Sequence, residues 1–304
     1  PHGLNQLHSI LAEQEARKVK GIEITVIINF GWLDLTMLSC FAHALLTART
    51  LYHSVKLELV FKPGKKDEKM RFLWRVGFFE MIGANMAGSF LSCSPDPWRN
   101  MPLGTSKRTN YVPLMNYELN RGMTIAPTAI ENWNTSFDSM DISKLITNTE
   151  AVQSKEYLYL LLWELIQNAE EHSSGNYVTM SGQVFLGYDI KDKLSSSQQE
   201  ALQRQYAAEV GSCVLRGRSS WFSEHARESF LLISCVDNGK GIPASLRTRS
   251  TYKNADDRTL LREAFLETTS TRRIDPALCD VHGLSQVMAL VKDENLPLLF
   301  ASRP

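Results

Sequence analysis

Leu161–His172, LLWELIQNAEEH, and Val236–Pro243, VDNGKGIP, are the two stretches whose reading decides the fold. Residues four apart on a helix share a face, so Glu164, Asn168 and His172 form one polar stripe. Leu161, Leu162, Leu165, Ile166 and Ala169 cover much of the remaining surface. A carboxylate, an amide and an imidazole set among packing residues need a polar ligand or water to satisfy them. The second stretch follows Phe230–Val236, FLLISCV, which reads as a buried strand feeding a glycine-rich turn. An aspartate ending such a strand needs donors for its charge, and the exocyclic amine of a purine is a suitable one. A charge-assisted hydrogen bond of that kind contributes roughly 1.5–3 kcal/mol. Gly239 and Gly241 let the backbone approach a flat ring or a phosphate chain where a Cβ would clash. Taken alone, DNGKGI is equally a tight turn before a helix. The stripe alone is equally a solvated face with Asn168 as a local cap.

Outward from these stretches, the helix is read from about Lys155 and is expected to end at Gly175 as a C-terminal cap. Tyr177–Leu186 alternates as a strand. Residues 187–227 read as a polar insertion with one helix over Gln198–Val210. Past the turn, Ala264–Arg273 is rich in Thr, Ser and Arg. His282-Gly283-Leu284-Ser285 then opens a helix to about Lys292, and a helix N-terminus behind a glycine is an anion site. The amides of Gly283, Leu284 and Ser285 are thus candidates to hold phosphates, with Ser270, Arg272 or Arg273 closing over them.

In the first half, Glu23–Phe30 (EITVIINF) reads as a buried strand and Val55–Phe61 (VKLELVF) as a second strand. Leu33–Leu51 and Lys69–Ile82 read as helices. Strand–helix–strand–helix implies an α/β unit with a parallel strand pair. Between residues 86 and 150, Pro95, Pro97, Pro102 and Gly104-Thr105-Ser106 mark loops. Tyr111–Leu114 and Met123–Ala126 read as short strands, and Glu131–Asp141 as loop. Residues 1–90, 91–150 and 151–304 are accordingly expected to be an N-terminal α/β domain, a connecting segment and a C-terminal domain.

The 304 residues allow one large or two ordinary domains, and 43% hydrophobic content can bury real cores. Lys plus Arg equals Asp plus Glu at 33 each, which argues against a dedicated nucleic-acid or membrane-surface binder. No apolar run reaches the roughly 18 residues of a membrane span. The N-terminal stretch PHGLNQLHSILAEQEARK has no signal-peptide character, so a cytoplasmic protein is expected. The start at Pro1 and the close on LLFASRP suggest that residues are missing at both ends. Cys40, Cys93, Cys213, Cys235 and Cys279 have no paired spacing and read as reduced thiols rather than zinc ligands.

A Glu-x-x-x-Asn-Ala-x-x-His helix followed by a strand ending in Asp-x-Gly-x-Gly-Ile resembles the GHKL superfamily, the ATP-binding domains of gyrase, chaperone, histidine-kinase and MutL type. The resemblance covers roughly residues 150–302. It implies an α+β two-layer sandwich, the Bergerat fold, with ATP under a mobile lid. By motif position Asn168 would ligate Mg²⁺ and Glu164 would activate water or an acceptor. His172 would lie near phosphates or ribose, and Asp237 would bind the adenine amine. Gly239, Gly241 and Ile242 would shape the base pocket, and Ser270, Gly283, Leu284 and Ser285 would belong to the lid and phosphate region. Family members carry Gly-x-Gly-Leu-Gly there; this chain has Asp280 and Ser285 at the places of two of those glycines.

Residues 20–85 resemble a STAS-like domain, the fold of anti-sigma-factor antagonists. The match rests on Trp32–Met37 (WLDLTM) opening a helix and on the closing segment Trp74–Gly83 (WRVGFFEMIG). Asp34-Leu35-Thr36-Met37 stands where that family has Asp-Ser-Ser-Gly with its phosphoacceptor serine, but the glycine is absent and Leu35 intervenes. Asp34 or Thr36 is therefore read as a helix N-cap ahead of Thr36 as a phosphoacceptor, and the domain as a protein-interaction or packing module. The expected function is a regulatory Mg²⁺-ATP-binding protein with slow hydrolysis coupled to lid movement. A serine/threonine kinase of anti-sigma-factor type and a catalytically degenerate ATP-binding scaffold are the alternatives. Protein partners are expected at the STAS-like domain or the 187–227 insertion, and homodimers are common in the resembling families.

Overall fold

Ile22, Ile24 and Val26 alternate with Glu23, Thr25 and Ile27, and Val55, Leu57 and Leu59 with Lys56, Glu58 and Val60. A period of two gives each run one apolar face. The computed structural model describes residues 20–28, 35–61, 64, 66–83, 91–97, 111–119, 124–140, 151–172, 175–185, 230–248, 250–265 and 287. In it the two runs form β1 (Gly21–Ile28) and β2 (Ser54–Phe61). They pair in parallel, with Glu23 opposite Lys56 and Ile27 opposite Val60. β3 (Leu91–Ser94), in a region read as loop, pairs in parallel with β2 to give the order β1-β2-β3.

The chain is thus a mixed α/β protein with two small sheets among the described residues. It divides into two compact units that are not consecutive in sequence. The first holds residues 1–116, 136–146 and 179–236; the second holds 117–135, 147–178 and 237–304. No helix among the described residues is long and apolar enough to cross a membrane.

In the first unit α1 (Leu35–Leu51) links β1 to β2, and α2 (Lys66–Arg75) and α3 (Phe78–Ile82) follow β2. The single helix expected over Lys69–Ile82 is two. Gly77, at φ 75° and ψ 16°, takes a left-handed conformation that stops one helix and starts the next. The break turns Phe78 and Phe79 inward, both fully buried with ring centroids 5.5 Å apart. They join Leu57, Leu59, Leu38, Leu45, Leu73 and Trp74 in one core. Cys93 lies in that core, and burial pushes its thiol up to about 12. Cys40, Cys93 and Cys235 form no disulfide; Cys213 and Cys279 lie outside the described residues.

The opposite face of this sheet is open. Glu23, Thr25, Ser54, Lys56, Glu58 and Ser92 are all exposed, and so is Ile27 at 64%. Parallel sheets are normally covered on both faces. Here the open face is suited to water by cross-strand polar pairs: Lys56 Nζ donates to Glu23 Oε1 at 2.7 Å and Thr25 Oγ1 to Glu58 Oε2 at 3.2 Å. EITVIINF is therefore half-solvated rather than a buried strand.

A second sheet has the order β4 (Tyr111–Glu118), β5 (Tyr177–Phe185), β6 (Phe230–Asp237). Within the first unit, Thr179 and Ser181 of β5 meet His43 and Ser39 of α1. The Ser39 and Ser181 hydroxyls are 2.9 Å apart, and His43 Nδ1 is 3.1 Å from Thr179 Oγ1. Thr179 spends its one hydroxyl proton on Asn116 Oδ1, at 3.2 Å. His43 Nδ1 must therefore carry the hydrogen in that contact, which fixes the neutral ring's tautomer. All four side chains are buried, so the seam sets register and is closed to solvent.

α4 (Ala126–Asp138) replaces the strand and loop expected there. Ala126, Ala129, Ile130, Trp133 and Phe137 are buried at helical spacing, and Pro127 sits in the first turn where its missing N–H costs nothing. α5 (Ala151–His172) and α6 (Ile242–Leu246) stand where a helix and a turn into a helix are expected. α7 (Asp257–Glu263) is capped by Asp256, whose carboxylate accepts from the Thr259 N–H at 3.0 Å. The expected helices over 198–210 and 282–292 lie outside the described residues, apart from Val287.

The sidedness of the first sheet is testable. Leu57→Ala, at a fully buried position, is expected to cost about 2–5 kcal/mol in urea unfolding. Ile27→Ala on the open face is expected to stay within about 0.5 kcal/mol of the parent. Equal losses at the two positions would mean that both faces are covered.

Candidate functional site

Of the candidate residues, Glu164, Asn168, His172, Asp237, Gly239, Gly241 and Ile242 all fall in the second unit. α5 supplies the first three. Leu162, Ile166 and Ala169 recur at spacings of four and three, and all are buried. Glu164 lies about 200° around the helix from Leu162 at 100° per residue, yet it is only 3% exposed. The helix is therefore enclosed on two sides at this level, and the Glu164 carboxylate is shut away from bulk water. Asn168, one turn on, is half-buried and donates its Nδ2 to the Glu164 carbonyl at 2.6 Å. The acceptor is a backbone oxygen, so the amide cannot be reversed. Its carbonyl oxygen is left as the atom available to a hard cation. His172 ends the helix; its side chain is outside the described residues.

β6 delivers Asp237 to its own end, as the sequence implies, but the carboxylate is exposed rather than buried. Water can therefore satisfy its charge without a ligand. The Gly239 N–H donates to Asp237 Oδ1 at 2.7 Å, a side-chain-to-backbone turn that folds the loop back on its aspartate. Gly239 is buried. Gly241 has φ 87° and ψ 157°, a backbone that only glycine adopts without strain, and it opens α6 at Ile242. The glycine at 241 is thus required by the turn itself.

The Asp237 loop lies against Gly175, three residues beyond the end of α5. An added Cβ there would lie 2.3 Å from Asn238 Oδ1 and 2.8 Å from the Gly239 nitrogen, far inside contact distance. Gly175 does not have the positive φ of the expected helix cap; it is a glycine because the DNG loop lies against it. Asn238 Oδ1 accepts the N–H groups of Asn176 at 2.8 Å and Tyr177 at 3.0 Å. The Asn176 carbonyl in turn accepts the Leu119 N–H at 2.7 Å. The segment leaving α5, the end of β4 and the Asp237 loop are so tied together. Sequence reading missed this role of Asn238, because no linear pattern pairs it with residues 176 and 177.

Glu170 was also missed. Its carboxylate accepts from the Ile125 and Ala126 N–H groups, placing a negative group at the N-terminus of α4. Burial raises its pKa above the ordinary 4.5, outweighing those two donors. Ser270, Gly283, Leu284 and Ser285 lie outside the described residues. Among the described residues no cluster of three or more His, Cys, Asp or Glu side chains could hold a metal. No protein-family model, curated protein or solved structure matches the chain.

Because the folded pKa of Glu170 is raised, the native state binds its proton more tightly than the unfolded chain. The stability it contributes is present below about pH 4.5 and is lost as pH rises through the folded value. Relative to Glu170→Gln, which keeps an acceptor oxygen, the parent is expected to lose stability in urea titrations as pH rises above the ordinary carboxylate value of 4.5. A parent that gains on the variant over that rise would reverse the sign and the cause.

Proposed function

We propose that the second unit binds ATP with Mg²⁺ as a GHKL-type module and hydrolyses it slowly. The observation that carries the reading is the seating of the Asp237-Asn238-Gly239 loop against Gly175, three residues beyond the helix bearing Glu164 and Asn168. Two motifs distant in sequence thus belong to one locality of one unit. Asp237 ends β6 with its side chain exposed and would take the adenine amine. The Asn168 carbonyl oxygen fits Mg²⁺, which needs only one or two protein oxygens beside phosphates and water. When bound, that ion would neutralise charge developing on the phosphates.

Glu164 is the candidate base for the attacking water. At 3% exposure its carboxylate is held away from bulk water. Asn168 holds to the Glu164 backbone, so the metal ligand and the base are fixed on one turn of helix. Ser270, Gly283, Leu284 and Ser285 remain proposed for the lid and phosphates.

The β1–α1–β2 unit, with Thr36 in the first turn of α1, supports a serine/threonine kinase of anti-sigma-factor type as the second reading. A non-catalytic scaffold follows if the single glycine at 283 leaves the lid unable to close.

Asp237→Asn is expected to weaken ATP affinity at least about tenfold in calorimetry, since an amide cannot serve as an equivalent acceptor. Unchanged affinity would remove Asp237 from the site. Glu164→Ala is expected to bind ATP as the parent does while phosphate release falls about a hundredfold or more. With γ-labelled ATP, free phosphate marks the ATPase, labelled protein the kinase, and neither the scaffold.

A further inference from the structure

We infer that Asn238 is the positioning residue of the nucleotide site, acting through the backbone of Asn176 and Tyr177 rather than by touching ligand. The inference rests on the ATP reading given above. A single side-chain oxygen takes two consecutive backbone N–H groups, at 2.8 and 3.0 Å. Two bonds from one atom leave the loop little freedom to rotate about its own strand. The next peptide linkage is gripped from its other side, because the Asn176 carbonyl accepts from Leu119 at 2.7 Å. On the loop side, Asp237 Oδ1 is tied down by the Gly239 N–H at 2.7 Å. The direction of the Asp237 carboxylate is therefore set by a chain of bonds running from Leu119 through Asn176 and Asn238 to Gly239.

Gly175 supplies the clearance. Its Cα faces Asn238 so closely that any Cβ would meet the Oδ1 atom and the backbone of Asn238 and Gly239. Backbone cannot swing aside as a side-chain end can, so a methyl group here must displace the loop. Asn238 and Gly175 act as a matched pair: one brings the loop in, the other lets it come.

The function of this brace is preorganisation. Asp237 is exposed, and an exposed carboxylate on an unbraced loop would sample many directions, which costs affinity on binding. A braced one meets its ligand already aimed. Asn238→Asp keeps an acceptor oxygen for the same two N–H groups; Asn238→Ala removes it.

The test combines amide hydrogen exchange with binding of mant-ATP in excess Mg²⁺, on the full chain. In Asn238→Ala, exchange at Asn176 and Tyr177 is expected to accelerate at least about tenfold and mant-ATP affinity to fall at least about tenfold. In Asn238→Asp both amides are expected to stay protected and affinity to remain within about threefold of the parent. Gly175→Ala is expected to copy Asn238→Ala in both readouts. The inference is overturned if Asn238→Ala exchanges faster yet binds as the parent does. It is overturned equally if the two amides exchange alike in parent and Asn238→Ala, or if Asn238→Asp protects them but binds as poorly as Asn238→Ala. A parent chain that binds no mant-ATP overturns the ATP reading itself, and this inference falls with it.

Discussion

One carboxamide oxygen organises the second unit. Asn238 Oδ1 takes the N–H groups of Asn176 and Tyr177 and thereby seats the Asp237 loop on the segment that leaves α5. The contact is close enough to dictate the residue facing it, since only glycine at 175 leaves room for the loop. The Tyr177 N–H is half-buried and the Asn176 N–H exposed, so the two bonds contribute modestly in energy, about 0.5–1.5 kcal/mol each, and act chiefly by fixing the direction of the loop. The proposed chemistry depends on the loop keeping that direction.

The first unit follows a different logic. Its sheet is parallel, yet one face carries Glu23, Thr25, Lys56 and Glu58 in cross-strand pairs, and the other face alone packs on α1, α2 and α3. The left-handed Gly77 is what turns Phe78 and Phe79 beneath that sheet. Ser39, His43, Thr179 and Ser181 then make a buried polar seam of hydrogen-bonding contacts between α1 and β5 that continues to Asn116. A seam of this kind penalises any slip of the strand against the helix, because a shifted register would strand hydroxyls and an imidazole in the interior.

Much of this was legible in the sequence. Short runs rich in Ile, Val and Leu gave β1 and β2 their place, and the strand–helix–strand–helix order gave their parallel sense, but the solvated alternate positions of β1 were read as part of a buried run. FLLISCV followed by DNGKGI gave a strand and a turn whose glycine at 241 has the positive φ such a turn demands. What escaped was set by tertiary contact or masked by composition. α4 was hidden because Asn132, Asn134, Thr135 and Ser136 have loop chemistry, although Ala129, Ile130, Trp133 and Phe137 keep helical spacing beneath them. β3 was hidden because four residues between proline-rich and glycine-rich stretches carry too little periodicity to read. Gly175 was read as a cap, whereas a residue more than sixty positions downstream explains it. The burial of Glu164 opposite a buried apolar face was likewise invisible, because a helical wheel reports spacing and not what covers it.

The claim at the centre of this account is that the end of α5 and the Asp237 loop form one nucleotide site. The most direct measurement is a crystal structure of the chain with a non-hydrolysable ATP analogue and Mg²⁺. The account expects density for the base at the Asp237 carboxylate, with the metal on the Asn168 carbonyl oxygen. Analogue density elsewhere on the molecule, or none at saturating concentration with Gly175 and Asn238 in contact, would contradict it.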